Sequence, residues 1–263
     1  MNEAFDIAAI TYDDVFTNSH IGKMQRDLVH DFLRKNISKE DSLDILEINC
    51  GTGHDAIWLA HQGHNVIATD ISSEMISIAE NKEFFSQKIP KFRQLDINNL
   101  NETHFESSFD IIFSDFGGLN CLSSDQLEFF FTSASKKLKP QGRIIGVIMP
   151  KHCLLESLYF IAKGNIKKAF RRNTKQAVSA NVDGVLVDTW YYNPKDIKIL
   201  SQSDFSTDTI KPIGFCIPPS YLESFFKKRI GLLKKLRNLD SFFKDFSSLS
   251  RYSDHYIISL SKK

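Results

Sequence analysis

The chain has 263 residues, a formal net charge of +1, 42% hydrophobic and 25% charged residues, the balance of a globular protein with a large core. That near-neutrality gives no global pull toward nucleic acid or anionic membrane, and no apolar run approaches the roughly 18 residues of a membrane span. Cys50, Cys121, Cys153 and Cys216 form no C-x-x-C pair, and the N-terminus "MNEAFDIAAITYDD" lacks a signal peptide's basic flank, so the reading is a cytoplasmic protein with reduced thiols.

In chain order, Ile21, Met24, Leu28, Phe32 and Leu33 recur at helical spacing and predict a helix ahead of the first strand. Strands are expected at 43–48, 65–69, 91–95, 109–114 and 142–149, nearly continuous apolar runs suited to burial on both faces. Ser72 begins a helix through Met75, Ile76 and Ala79. Another, over 124–138, places Leu127, Phe130, Phe131, Ala134 and Leu138 on one face, with Ser123 or Ser124 as cap and Pro140 with Gly142 as stop. His61 and His64 have no third ligand nearby, so no metal site is expected.

After Pro150 the alternation breaks. Residues 151–203 mix helix over 153–172 with a two-stranded ribbon around "NVDG" (181–184), and strands resume at 206–213 and 255–262. The expectation is an α/β, Rossmann-like seven-stranded sheet with helices on both faces. Residues 1–150 would form the N-terminal helix and cofactor-binding core, 151–203 a cap inserted between strands 5 and 6, and 204–263 the last two strands of the same domain.

The stretch "LEINCGTGHDAIWLAHQGHNVIATDIS" (46–72) carries a glycine turn between a strand and a helix. Gly51, Gly53 and Ala56 satisfy G-x-G-x-x-A, and Asp70 lies near the ribose-binding distance of a dinucleotide fold. A nicotinamide-dependent oxidoreductase is therefore one reading. The acid ahead of the glycines, Glu47, suits instead a ligand with an ammonium group and no phosphate.

Residues 47–53, "EINCGTG", resemble the E/D-x-G-x-G-x-G signature of class I S-adenosylmethionine-dependent methyltransferases, with Asn49 in place of the first glycine. Asn is the non-glycine residue best able to take the positive φ that this position needs. The resemblance covers roughly residues 5–150 and the final strand. It implies that Glu47, Asn49, Cys50, Gly51 and Gly53 surround the cofactor, Asp70 and Ile71 take ribose and adenine, and Asp96 with Ile97 meets the adenine ring. "FDIIFSDFGGLNCL" (109–122) resembles the segment along the methionine group, which brings in Ser114 and Phe116; Met75 is a further contact. Tyr12 would close over the cofactor and Arg26 would reach its carboxylate.

The implied activity is methyl transfer from S-adenosylmethionine to O, N or C of a small aromatic or lipophilic metabolite. Apart from the oxidoreductase, a catalytically silent cofactor-binding or interaction module stays open. His20, His152 and Tyr191 are candidates for a base or positioning group, and His54 sits in the turn facing the methionine group. "TWYYNP" (189–194) and "GFCIPPSY" (214–221) offer aromatic surface for a flat substrate. Nucleic acid is not an expected partner, since "SDFG" differs from the motif of nucleobase amino methyltransferases. Oligomeric state is not legible. Lys163 to Lys175 holds six basic residues and no acid behind Leu154, Leu155, Leu158, Phe160 and Ile161: a solvated helix face, an anion-binding lid, or a peripheral membrane contact over 154–175.

Overall fold

Long apolar runs and capped amphipathic segments assemble into one sheet with helices on both faces. The computed structural model describes residues 2–37, 42–182 and 185–263. In chain order come α1 (Asn2–Tyr12), a π-helical turn, α2 (His20–Asn36), β1 (Asp44–Ile48), α3 (His54–His61), β2 (Asn65–Asp70), α4 (Ser73–Glu80) and β3 (Lys91–Gln94). Next are β4 (Phe109–Ser114), α5 (Ser124–Lys137), β5 (Leu138–Ile148), α6 (Leu154–Ala162), α7 (Ile166–Ala169), β6 (Val178–Val182) and β7 (Val185–Thr189). The chain closes with α8 (Pro194–Ser201), β8 (Phe205–Ile213), α9 (Glu223–Phe226), α10 (Ile230–Phe243) and β9 (His255–Lys262).

The seven strands lie in the order β3-β2-β1-β4-β5-β9-β8. β1 to β5 pair in parallel, and β9 enters antiparallel between β5 and β8. The strand order reverses between β1 and β4, so their C-terminal ends open a crevice. Alternate residues feed opposite cores: Ile45 packs with Leu28, Val29 and Leu59 on one face, while Leu46 and Ile48 pack with Phe130 and Phe131 on the other. Pro212 is accommodated because β8 is an edge strand.

Local signals explain most boundaries. Ser19 Oγ accepts from Gly22 N at 2.9 Å and starts α2. Ser123, not Ser124, caps α5 in a capping box with Gln126, whose Oε1 accepts from Ser123 N at 2.9 Å. β5 begins at Leu138, ahead of the expected 142, because a bulge lets Leu138 pair with Phe109 before Arg143 pairs with Ile111. The helix expected over 153–172 is two short helices. Gly164 takes φ +70, and its N–H and that of Asn165 bond the Ile161 and Phe160 carbonyls, a Schellman stop.

The ribbon forms as antiparallel β6–β7, with Asp183 and Gly184 of its turn outside the described residues. Between β8 and β9 the chain inserts α9 and α10, and α10 lies against α2. Among the described residues no helix is long and apolar enough to cross a membrane.

Candidate functional site

A cavity of about 340 Å³ opens at the β1/β4 crevice. Its floor is the loop after β1. Asn49 has φ 57, the left-handed conformation expected of that position, and its side chain presses on Gly118, where a Cβ would lie 2.5 Å from Asn49 Cβ. Gly53, at φ 75, begins α3 where any side chain would strike the Phe92 ring. The Tyr12 ring lies over Gly51. Asp70, at the end of β2, accepts from Gly51 N at 2.8 Å and from Ser72 N at 3.0 Å. α1 docks through Asp6, which accepts from Ser72 Oγ at 2.5 Å, and the turn after it through Asp13, which accepts from Thr52 Oγ1 at 2.7 Å.

Charge concentrates at one end of the cavity. Glu47, Asp55, Asp115 and Arg26 are all buried there. Arg26 Nε lies 3.1 Å from the Asp55 carboxylate, and His30 Nε2 2.7 Å from Asp55 Oδ1. Burial opposes the Asp55 charge, but the Arg26 guanidinium and the His30 hydrogen bond outweigh it and hold the carboxyl below the usual range. Glu47 goes the other way: burial raises it well above an ordinary carboxyl, reinforced by Asp55 and Asp115. Asp115 is raised in the same manner by burial and by Asp55. Burial, then Arg26, lowers His54 to about 4, so its imidazole is neutral at neutral pH.

Several buried polar atoms here have no hydrogen-bond partner: Glu47 Oε2, Asp115 Oδ2, Arg26 Nη1 and Asn49 Oδ1. Two acceptors on acids and one guanidinium donor, all desolvated, match a zwitterionic amino acid, whose ammonium and carboxylate would satisfy both kinds.

Of the residues singled out in the sequence, Tyr12, Arg26, Glu47, Asn49, Cys50 and Gly51 line the cavity, as do Asp70, Ile71, Met75, Asp96, Ile97 and Phe116. Gly53 and Ser114 lie just outside it, Gly53 as the helix start and Ser114 as a buried strand end. Asp96 accepts from both the backbone and the side-chain nitrogen of Asn98 at 2.9 Å. Phe116 has φ 28, rare for an aromatic residue, and is held between Phe16, Arg26 and His255.

None of the three base candidates lines the cavity. His20 Nδ1 sits 2.8 Å from Glu223, which also accepts from the first backbone N–H groups of α2. His152 lies beside Tyr252, and Tyr191 is buried under the Arg172 guanidinium. "TWYYNP" is an anchor: Tyr192 Oη donates to Leu122 O at 2.6 Å, and Asn120 Nδ2 donates to Trp190 O and Met149 O. That anchor sets the ribbon over the cavity, where Ala180, Val187 and Thr189 join its wall. Asp55, Asp115 and Asn120 were not legible as a set, because each gains its meaning from a partner on another element.

Residues 45–142 match the family model described as "Methyltransferase domain". Over 103 residues the chain is 38% identical to the Bacillus subtilis (strain 168) protein named "Putative methyltransferase YqeM", covering 38% of this chain and 40% of that relative. The matched stretch thus spans about two fifths of the curated relative's length. Among solved structures, the PH0226 protein of Pyrococcus horikoshii OT3 superposes with TM-score 0.61 and 15% identity, over 96% of this chain and 95% of that one. Magnesium protoporphyrin IX methyltransferase (ChlM) from Synechocystis PCC 6803, with bound SAH, does so with TM-score 0.56 and 15% identity, over 91% and 83%. At these identities the likeness is one of fold.

Proposed function

We propose that this chain, whose fold is that of class I S-adenosylmethionine-dependent methyltransferases and whose residues 45–142 form a methyltransferase domain, transfers a methyl group from S-adenosylmethionine to a small apolar acceptor. The observation that carries this reading is the set of buried, unpartnered charged atoms on Glu47, Asp115 and Arg26. Glu47 and Asp115 would accept from the cofactor's ammonium and Arg26 would donate to its carboxylate. Asp70 would take the ribose hydroxyls, and Asp96, Ile97 and Asn98 would border the adenine. The cofactor supplies an electrophilic sulfonium methyl.

What the chain adds is alignment and exclusion of water. Leu122, Met149, Phe116, Ala180 and Val187 give the cavity an apolar wall, which favours a lipophilic acceptor. His54 is the imidazole among the described cavity-lining residues, and as a weak base it suits an acceptor that is already nucleophilic. His20, His152 and Tyr191 would act on this chemistry through the surrounding frame.

Calorimetry tests the cofactor. S-adenosylhomocysteine is expected to bind saturably with a micromolar dissociation constant, and NAD not at all. Arg26 is the one Lys or Arg side chain among the described cavity-lining residues and is already bonded to Asp55, which leaves little to hold a pyrophosphate and disfavours the oxidoreductase reading. Saturable NAD binding with no response to either adenosyl ligand would overturn the proposal. A catalytically silent module would share the binding result but show no methyl transfer to any acceptor.

The raised carboxyls make a second, independent prediction. Glu47 and Asp115 are pushed up in the free protein, and an ammonium beside them would favour their ionised forms. Binding should therefore release protons. Affinity should rise as pH climbs through the range to which those carboxyls are raised, and fall as pH drops. Titrations in phosphate and in Tris at one pH should give different apparent enthalpies. Equal enthalpies, with an affinity that does not change with pH, would place the ammonium away from this cluster.

A further inference from the structure

Two segments far apart in sequence share an unusual composition. Residues 157–182 hold six basic residues and no acid, and so do residues 224–239. Because the whole chain carries only +1, the remainder is acidic on balance, and these segments concentrate the positive charge. Both also turn large apolar side chains outward. On α6, Leu154, Leu158 and Ile161 follow i, i+4, i+7 and form one stripe, yet Leu158 is 54% and Ile161 43% exposed. Phe170, beyond α7, is 53% exposed. In the second segment Phe225 is 49% and Leu232 44% exposed.

The fold brings the first segment against Tyr221, which stands just ahead of the second. The Phe160 ring stacks on Tyr221 with centroids 6.3 Å apart, and the Arg171 guanidinium lies 5.8 Å from the centre of the same Tyr221 ring. Exposed Lys163, Lys167 and Lys168 flank the apolar stripe of α6, and exposed Lys227, Lys228 and Arg229 lie between Phe225 and Leu232. A helix pair that existed only to cover the core would turn its leucines inward. Here α6 buries Glu156 and exposes Leu154 and Leu158.

We propose that this joint face, built on α6–α7 and on the segment from Tyr221 through the first turns of α10, docks on an anionic phospholipid surface. Lysines and arginines would meet the headgroup phosphates while Leu158, Ile161, Phe170 and Phe225 enter the acyl boundary. An acidic protein would match the charge but would not require large apolar side chains exposed among the cations. The ribbon β6–β7 follows α7 directly and lines the cavity with Ala180, Val187 and Thr189, so a lipophilic molecule partitioned in the bilayer would arrive next to the cavity wall. The docking itself does not depend on the methyl-transfer reading.

Co-sedimentation of the full chain with vesicles tests it. Binding is expected to phosphatidylglycerol–phosphatidylcholine vesicles and not to pure phosphatidylcholine. Lys167→Glu with Lys168→Glu should weaken it on the order of 25-fold or more, taking about fivefold for each cation lost. Leu158→Asp with Ile161→Asp should abolish binding, with an unchanged thermal transition showing that the fold is intact. Absence of binding to anionic vesicles would overturn the proposal. So would loss in the charge variant with no change in the apolar variant, because that pattern describes a polyanion-binding face instead of a membrane one.

Discussion

Replacing Arg172 by leucine is expected to cost about 3–5 kcal/mol of folding stability, which for a chain of this size lowers the midpoint of thermal unfolding on the order of 10 °C. Arg172 is buried between the first insertion and the sheet. Its guanidinium pairs with Glu156, lies 2.8 Å from Asp254 Oδ1 and donates to Asp254 O at 3.1 Å. Glu156 and Asp254 are themselves buried, so removing the cation leaves Glu156 with Arg171, and Asp254 with His255 and with Gln25 Nε2 at 2.9 Å. Cys153 completes the cluster; its thiol, a carboxylate oxygen of Glu156 and one of Asp254 lie within 4.8 Å of one another, and the cation among them is the guanidinium.

The pH dependence separates this cause from simple loss of packing. In the wild type, burial opposes the Asp254 charge, but His255 and Arg172 hold its carboxyl below the usual range. In the variant, Asp254 should lose part of that depression. The stability a depressed carboxyl contributes is present above its unfolded value and is lost as pH falls through the folded one, so the deficit should be larger at neutral pH than in mild acid. Urea titrations at the two pH values measure it. Adding Glu156→Gln should recover part of the loss. A deficit under about 1 kcal/mol, or one independent of pH, would mean that the network is solvated and not structural. Because Arg172 covers Tyr191, and His255 packs on Phe116 at the cavity, the variant should also loosen the cavity wall.

Asp70→Ala should weaken S-adenosylhomocysteine binding by about 2–3 kcal/mol, or roughly 30- to 150-fold. The carboxylate stands at the end of β2, beside the crevice, and already accepts from Gly51 N and Ser72 N. Those two bonds hold the loop after β1 against the start of α4 and leave the rest of the acid's acceptor capacity for a ribose diol. Burial raises this carboxyl, and the backbone hydrogen bonds pull it back down. Asp70→Asn keeps one acceptor oxygen and should lose less. Calorimetry on a variant with wild-type circular dichroism is the check. Binding within twofold of wild type would detach Asp70 from the ligand.

Much of this fold could be read in advance from spacing. Runs such as 109–114 are apolar on both faces because the sheet is covered on both, and Ser72 and Ser123 mark helix starts through bonds that span three residues. Asn49 could be assigned a positive φ from its residue type and place in the turn alone. These are local properties, fixed by backbone sterics and by partners within one helical turn. One boundary that shifted was set by a distant partner: Leu138 extends β5 because Phe109 is there to pair with it.

The charged constellation was of the second kind. Arg26 could be nominated from a helical segment, but its bond to Asp55 spans 29 residues, and nothing near either one in sequence announces it. His20, His152 and Tyr191 have side chains suited to catalysis, yet Glu223, Tyr252 and Arg172 are their neighbours in the folded chain. The sequence by itself determined the sheet, the glycine turn and the acids Glu47 and Asp70 at its two strand ends. Only the tertiary structure decided which buried charges share one cavity, which are paired elsewhere, and that Phe160 of one acid-free segment stacks on Tyr221 just ahead of the other. The physical reason is that periodicity records which way a residue faces, whereas a site depends on distances between elements, and packing alone sets those.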